Sequence, residues 1–347
     1  MSSIPRRTHT ILVTDVHVGG DVHQIILGGI APIPGLTVLE KRDYLRDHAD
    51  ELRQVVLGEP RGGHPSLFAD LAIPPVDPRA AAAFIIMEFL GYPLFSGSNT
   101  MATAIALIEE GVLQAPAGKS SLVLESPGGL VNVEVDVEPD GKVSSVTFKP
   151  DDTACVIKKG ALVEVDGRGR VRYDLVWAGC WYAVVAAEDC GLAMMRNEEA
   201  AQGQLAFEIM EALAREPNPV HPVLGEQGRI ALVLFAAAPY RGSDGRLRRR
   251  ISPVVHPRSV SRCPAGTGTT AAVAQLVADG AMALDEDITT ISCWDTQFEA
   301  SCCENPDDYG VRVAVTGHGW VIARKELILD ATDPLTPTGA LRALLDH

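Results

Sequence analysis

Polar and apolar positions alternate along most of this 347-residue chain and yield to helical spacing in only a few places. Residues 10–27 read as strand, interrupted by Gly19-Gly20-Asp21, and 32–35 as a turn. Residues 37–57 set Leu39, Tyr44, Leu45, Leu52, Val55 and Val56 at helical intervals among charges, which predicts a surface helix. Residues 80–87 form a compact apolar strand. Between 120 and 185 strand follows strand, at 122–124, 131–137, 143–148, 161–165, 171–176 and 181–185. Turns such as Pro139-Asp140-Gly141 and Asp166-Gly167 separate them. An amphipathic helix over 197–215, a buried strand over 230–235 and strands over 311–316 and 319–322 follow.

Two runs break this pattern by being apolar on nearly all sides. Ser96-Gly97-Ser98-Asn99-Thr100 opens the first, 101–111, and Ala265-Gly266-Thr267-Gly268-Thr269 opens the second, 270–280. Position 265 stands against 96, an offset of 169, about half the chain. Gly97 then matches Gly266, Thr100 matches Thr269, and Gly111 matches Gly280. Each run is too short for a membrane span, so burial inside a core is expected. Mixed strands with one central helix per half predict an α/β (α+β) protein of two pseudo-symmetric lobes, each a barrel-like sheet around an apolar helix. A glycine-rich helix start offers free backbone N–H groups and the positive end of the helix dipole, so each would attract an anion. Gly97, Ser98 and Asn99, with Gly266, Thr267 and Gly268, are therefore the candidate carboxylate-binding residues.

The charge of −15 argues against nucleic acid or an anionic membrane as a partner. The basic run Arg246, Arg248, Arg249 and Arg250 follows Gly242-Ser243-Asp244-Gly245 and reads as a solvated hairpin flank. Seven cysteines, two of them adjacent, show no CxxC pair and no zinc spacing. No signal peptide is read at the polar start, residues 1–7. A soluble, cytoplasmic protein without metal or cofactor is expected, because the glycine-rich loops lack both the Walker lysine and the dinucleotide spacing. Cys180 and Cys190 read as core, Cys302 and Cys303 as incidental residues of a polar loop, and Cys263 as a small buried residue before Pro264. His17, His64 and His318, each beside a glycine, are read as structural or solvated. Asp15 and Asp21 are expected to pair with basic residues.

Nearly end to end, the chain resembles the proline racemase superfamily, which includes 4-hydroxyproline epimerases and trans-3-hydroxyproline dehydratases. The likeness is carried, in order, by Asp15-Val16-His17, Gly19-Gly20-Asp21, Pro32-Ile33-Pro34-Gly35, Glu40-Lys41-Arg42 and Glu59-Pro60-Arg61-Gly62. It continues through Pro74-Pro75-Val76-Asp77-Pro78, Glu125-Ser126-Pro127, Gly129-Leu130-Val131 and Tyr182-Ala183. Thr296-Gln297-Phe298-Glu299 and Val315-Thr316-Gly317 complete it. The resemblance implies a diaminopimelate-epimerase-like fold. One lobe would comprise 1–117 with about 320–347 and the other 118–319, with the active site in the cleft between them. It also implies a small carboxylate substrate of proline or hydroxyproline type, and leaves a homodimer open.

The catalytic positions depart from the family. Its racemases typically carry Met-Cys-Gly-His in the first loop and Asp-Arg-Ser-Pro-Cys-Gly-Thr-Gly in the second. Here Ser96 and Ala265 stand where the two cysteines would be. Ser98 replaces the histidine and Ser261 the aspartate, the pair that contacts the substrate amine in the family. Racemisation at Cα needs an acid–base group on each face, and alanine has no proton to move. Dehydration needs one base and a β-hydroxyl that leaves. Ser96 is the sole candidate base by position, with helix N-capping as its alternative role. A one-base hydroxyproline dehydratase or isomerase is favoured; a racemase or epimerase, and an inactive small-ligand binder, remain as alternatives.

Overall fold

The computed structural model describes residues 8–58, 60–149, 153–222, 225–226, 228–255, 258–304, 310–337 and 339–345. Residues 1–7, Glu59 and the Cys303 side chain lie outside the description. The chain divides into two compact units, Met1–Val146 with Gly319–His347, and Thr147–His318.

In the first unit β1 (Thr8–Val18) and β2 (Asp21–Gly28) form a hairpin turned by Gly19 and Gly20, at φ 57° and 102°. Two helices follow, α1 (Val38–His48) and α2 (Glu51–Leu57), where the helical spacing predicts one. The Thr37 hydroxyl caps α1 by accepting from the Glu40 N–H at 3.0 Å. Then come β3 (Phe68–Ile73), β4 (Ala82–Met87), α3 (Gly97–Glu109), β5 (Gly118–Ser126) and β6 (Gly129–Val137). The late strand Gly319–Asp330 returns to pair with β1. The order is late strand, β1, β2, β3, β4, β5, β6, with β2/β3 and β4/β5 parallel and the other pairs antiparallel.

After β7 (Val143–Lys149), the second unit runs β8 (Cys155–Val165), β9 (Gly169–Trp177), β10 (Trp181–Ala186) and α4 (Glu199–Leu213). The short strands β11 (Val220–His221) and β12 (Gly225–Glu226) precede β13 (Leu232–Ala236), β14 (Tyr240–Arg241) and β15 (Leu247–Val255). β16 (Ser259–Val260), α5 (Gly266–Ala278), β17 (Asp287–Ile291), β18 (Gln297–Glu304) and β19 (Arg312–Gly317) follow; β20 is the late strand, and α6 (Ala340–Leu345) ends the chain. The sheet order β8, β9, β10, β13, β15, β17, β18, β19 has parallel pairs at β10/β13 and β15/β17 and antiparallel pairs elsewhere. The order of pairings in the first unit thus recurs in the second, which adds the antiparallel pair β18/β19 at its end. Each parallel pair is joined by a helical crossover, as parallel strands require. No ladder closes either sheet among the described residues. A single bridge between Ala154 and Val311 links the two edges of the second.

Each sheet is covered on both faces. In the first unit Ile26, Ala69, Leu71, Ala83, Ile85 and Met87 pack beneath α1, α2 and α6, while the intervening positions face α3. In the second, Ala183, Val185, Val233, Phe235 and Val254 pack beneath α4. The helices α3 and α5 begin and end 169 positions apart, at 97/266 and 109/278. Every residue of α3 from Gly97 to Ile108 is buried. Both helices stop on a positive-φ glycine, Gly111 and Gly280, whose N–H bonds at 3.0 Å to the carbonyls of Ile108 and Val277. No helix among the described residues is long and apolar enough to cross a membrane.

Several local expectations change. Arg249, read as solvated, is buried and donates to the carbonyls of Ala237 (2.9 Å) and Ala272 (3.5 Å), while its neighbour Arg248 does pair with Asp244 outside. Strand alternation turns Arg249 inward and Arg248 outward. Cys302 lies in β18 rather than a loop and is buried, because Phe298, Ala300 and Cys302 share its inner face. Cys180 and Cys190 are half-buried.

The close packing of α3 on its sheet gives a test. A methyl group on Gly319 would meet Ile105 Cδ1 at 2.6 Å and the His17 carbonyl oxygen at 2.8 Å. Gly319→Ala should cost about 1–3 kcal/mol in urea unfolding, the usual penalty of overpacking. Adding Ile105→Val, which removes that terminal methyl, should recover part of it. Equal stability of Gly319→Ala and wild type would show that α3 is loosely held.

Candidate active site

Ser96 occupies the N-cap position of α3 in extended backbone, φ −155° and ψ 127°, yet its side chain does not bond to the first-turn amides. Its oxygen instead accepts a hydrogen bond from Asn99 Nδ2 at 2.8 Å. The first ladder bond of α3 runs from Thr100 N to the Ser96 carbonyl at 3.0 Å. The N–H groups of Gly97, Ser98 and Asn99 therefore lie outside the helix's own ladder. The second start is built alike. Ala265 caps α5 by position only, and Thr269 N bonds to its carbonyl at 2.9 Å. Gly266, Thr267 and Gly268 present the corresponding amides. Ser98 and Ser261 are both buried.

The two starts differ in what surrounds them. At α3, Asn99 stands at the centre of a polar cluster. Its Oδ1 is 2.9 Å from His23 Nδ1, and its Nδ2 also reaches Glu88 Oε1 at 3.3 Å. His23 is wholly buried and stacked on Phe68 at 4.9 Å, with Nε2 unpartnered. Burial lowers its pKa to about 4, so the ring is neutral at physiological pH. With Asn99 Oδ1 as acceptor, that neutral ring carries its proton on Nδ1. Glu88 directly follows β4, bridges to Gly91 and is half-buried. Burial raises its pKa to about 7, the Asp21 charge adding to the rise and the Asn99 hydrogen bond opposing it. Asp70 on β3 is fully buried with neither oxygen hydrogen-bonded. Burial first, then the Glu88 charge, hold its pKa well above the usual carboxylate range, so it is the neutral acid there.

At α5 the described contacts are made by hydroxyl, thiol and amide groups. Ala265 holds a positive φ of 56°, uncommon for a residue with a side chain. Its N–H donates to Cys263 Sγ at 3.2 Å, and Cys263 is completely buried. The thiol thus serves the turn before the helix. Thr267 Oγ1 lies 2.7 Å from the hydroxyl of Tyr182, itself buried on β10. The second start is lined by the hydroxyls of Thr267 and Tyr182 and by the Cys263 thiol.

Ser96 and Asn99 are thereby brought into one cluster, and Ala265, Thr267 and Cys263 into another. His23, Asp70 and Glu88 are not picked out by any motif. Asp70 is the one charged residue of β3, His23 shares β2 with Asp21 and Gln24, and Glu88 directly follows β4. Of the glycine-flanked histidines, His17 stacks on Trp320 at 5.0 Å and His64 bonds to Ser66 at 2.7 Å. Asp15 pairs with Lys325 at 2.9 Å. Among the described residues no three His, Cys, Asp or Glu side chains are placed to hold a metal ion.

The family model described as proline racemase matches residues 13–339. A 4-hydroxyproline 2-epimerase of Streptosporangium roseum is 33% identical over 94% of this chain and 97% of its own. The structure of a hydroxyproline epimerase from Agrobacterium vitis, solved with trans-4-hydroxy-L-proline bound, superposes with a TM-score of 0.85 at 28% identity, covering 95% of each chain. A probable proline racemase from Agrobacterium radiobacter K84, solved with carbonate bound, gives 0.84 at 28% identity, covering 97% of this chain and 98% of its own.

The buried His23 gives a pH prediction. Its folded pKa of about 4 lies below the unfolded value of 6.5, so the unfolded chain binds the extra proton and stability falls as pH drops through that window. Wild type should lose about 2 kcal/mol between pH 8 and 5 that His23→Gln does not lose. Urea unfolding of both at the two pH values measures it, and identical losses would mean that His23 is solvated.

Proposed function

The chain belongs to the proline racemase family, and we propose that it removes a Cα proton from a proline- or hydroxyproline-type carboxylate with acid–base groups on one face only. The observation that carries this is the inequality of the two helix starts. Asn99 at α3 joins a hydroxyl and a carboxyl, whereas Ala265 at α5 has nothing to ionise and Cys263 is buried in the turn. The names of the relatives support the substrate class: one acts on 4-hydroxyproline, and another holds trans-4-hydroxy-L-proline. Each helix start, with the amides of Gly97, Ser98 and Asn99 in one unit and of Gly266, Thr267 and Gly268 in the other, offers a carboxylate N–H donors aided by its helix dipole.

With one acid–base face the matching reaction is dehydration of a β-hydroxylated substrate. The Cα–H bond breaks and its proton goes to the base. Its electron pair becomes the Cα=Cβ double bond as the Cβ–O bond breaks, and the departing hydroxide takes a proton to leave as water. Epimerisation is the second reading, favoured by the relatives' names, and it demands a proton donor on the opposite face.

Solvent-deuterium exchange at Cα, followed by NMR over a panel of proline and hydroxyproline stereoisomers, tests the reading. Wild type should exchange or dehydrate a hydroxyproline without accumulating its Cα epimer. Accumulation of the epimer would establish a second acid–base group and overturn the one-face reading.

Ser98 and Ser261 replace the family's two amine-contacting residues by neutral hydroxyls. A charge-assisted hydrogen bond contributes roughly 1.5–3 kcal/mol against about 1 for a neutral one. Free L-proline should therefore bind about 10–100-fold more weakly than the best hydroxylated or amine-free ligand in calorimetric titration. Proline binding as tight as that ligand's would show that another acid holds the amine.

A further inference from the structure

We propose that Glu88, rather than Ser96, is the group that moves the proton at the α3 helix start. This rests on the one-face reading above and names its acid–base residue. The two hydrogens of Asn99 Nδ2 go to two acceptors, Ser96 Oγ at 2.8 Å and Glu88 Oε1 at 3.3 Å. The two oxygens are therefore no more than about 6 Å apart and flank the same amide, at the first turn of α3. The amide cannot be turned round at equal cost. Its carbonyl would then face the Glu88 carboxylate, and its NH2 would face His23 Nδ1.

Ser96 is poorly suited to the task. Its oxygen is already an acceptor, and the donor, an amide, cannot take up its proton. Nothing in the cluster makes the hydroxyl more basic: His23 meets the far side of Asn99 and is neutral. Glu88 has what Ser96 lacks. Its main chain is fixed by a reciprocal pair of bonds with Gly91, Glu88 N to Gly91 O at 2.7 Å and Gly91 N to Glu88 O at 3.0 Å. Arg53 Nη1 adds a bond to the Glu88 carbonyl at 3.2 Å, while its Nε and Nη2 are committed to Asp50 at 2.7 Å. A fixed backbone under a carboxyl that burial perturbs and Asn99 Nδ2 holds is the arrangement of a positioned acid.

The charges facing Glu88 come from several elements. Asp21 at the start of β2 disfavours its ionisation, Asn99 on α3 favours it, Arg53 on α2 touches only its main chain, and the Glu88 charge in turn raises the pKa of Asp70 on β3. The carboxyl therefore titrates near pH 7, where it can accept a proton and give it back. In the dehydration, the Glu88 carboxylate takes the Cα proton and returns it to the departing hydroxide, so that water leaves and Glu88 is ionised again.

The test uses Glu88→Gln, which keeps an oxygen acceptor for Asn99 Nδ2, beside Ser96→Ala. Cα exchange and dehydration of the hydroxyproline stereoisomers are measured between pH 5.5 and 9, and binding of trans-4-hydroxy-L-proline is measured by calorimetry. Glu88→Gln should lose at least a hundredfold in rate, keep its Kd within about threefold, and abolish the limb near pH 7 in the wild-type rate profile. Ser96→Ala should stay within about tenfold of wild type. Exchange by wild type with an unaltered profile and rate in Glu88→Gln would overturn the assignment to Glu88 while leaving the one-face reading intact. A wild type that binds the ligand and never exchanges would end both.

Discussion

Each unit is organised by the burial of one helix against the inner face of a mixed sheet. Burying α3 and α5 so completely requires small residues along them, and both are rich in Ala, Gly and Thr. The same burial leaves their first-turn amides as the fixed polar feature of each unit, since neither Ser96 nor Ala265 closes back on them. Four orphan N–H groups at a helix start need a partner. A small anion that carries its own acceptors satisfies them without a conformational change. The proposed carboxylate ligand follows from that feature of the fold.

What distinguishes this chain from a symmetric two-base enzyme is the chemistry around those starts. The strands facing α3 carry His23, Asp70 and Glu88 in their inward positions, a costly arrangement in an apolar interior. The cost is limited by neutralisation: His23 and Asp70 both hold their uncharged forms. Glu88 alone is left near its midpoint at neutral pH. The inward positions around α5 carry Tyr182, Leu234 and Pro253 instead. A duplicated scaffold has the same helix start in both units, and among the described contacts a carboxyl meets the first turn of α3 only.

Membership of the proline racemase family and the fold were legible in the residues themselves. The repeated Gly-rich openings, 169 positions apart, became two helices with the same start, the same length and the same glycine stop. Alternation located many strands of both sheets, because a strand with one face towards a helix must repeat every second residue, but β3, β15, β17 and β18 were not read from it. The same rule misplaced Arg249 and Cys302 only because their neighbours are polar enough to suggest solvent. The break between α1 and α2 was invisible, since apolar spacing persists on both sides of Ala49 and Asp50.

The sequence by itself determined the two helix starts, their exposed amides, and the absence of a thiol at 96 and 265, all of which are local facts carried by adjacent residues. The acid–base cluster was decided only by the tertiary structure. Asn99 and His23 are 76 residues apart, and Glu88 is 11 from Asn99 with the opening of α3 intervening. The ladder that sets Ile25 beside Asp70, and Asp70 beside Ile86, brings the inward side chains of β2, β3 and β4 to one face. No spacing along the chain encodes that register. The perturbed titration of Glu88 follows from the same source, because burial and neighbouring charge exist only once the sheet has closed over α3.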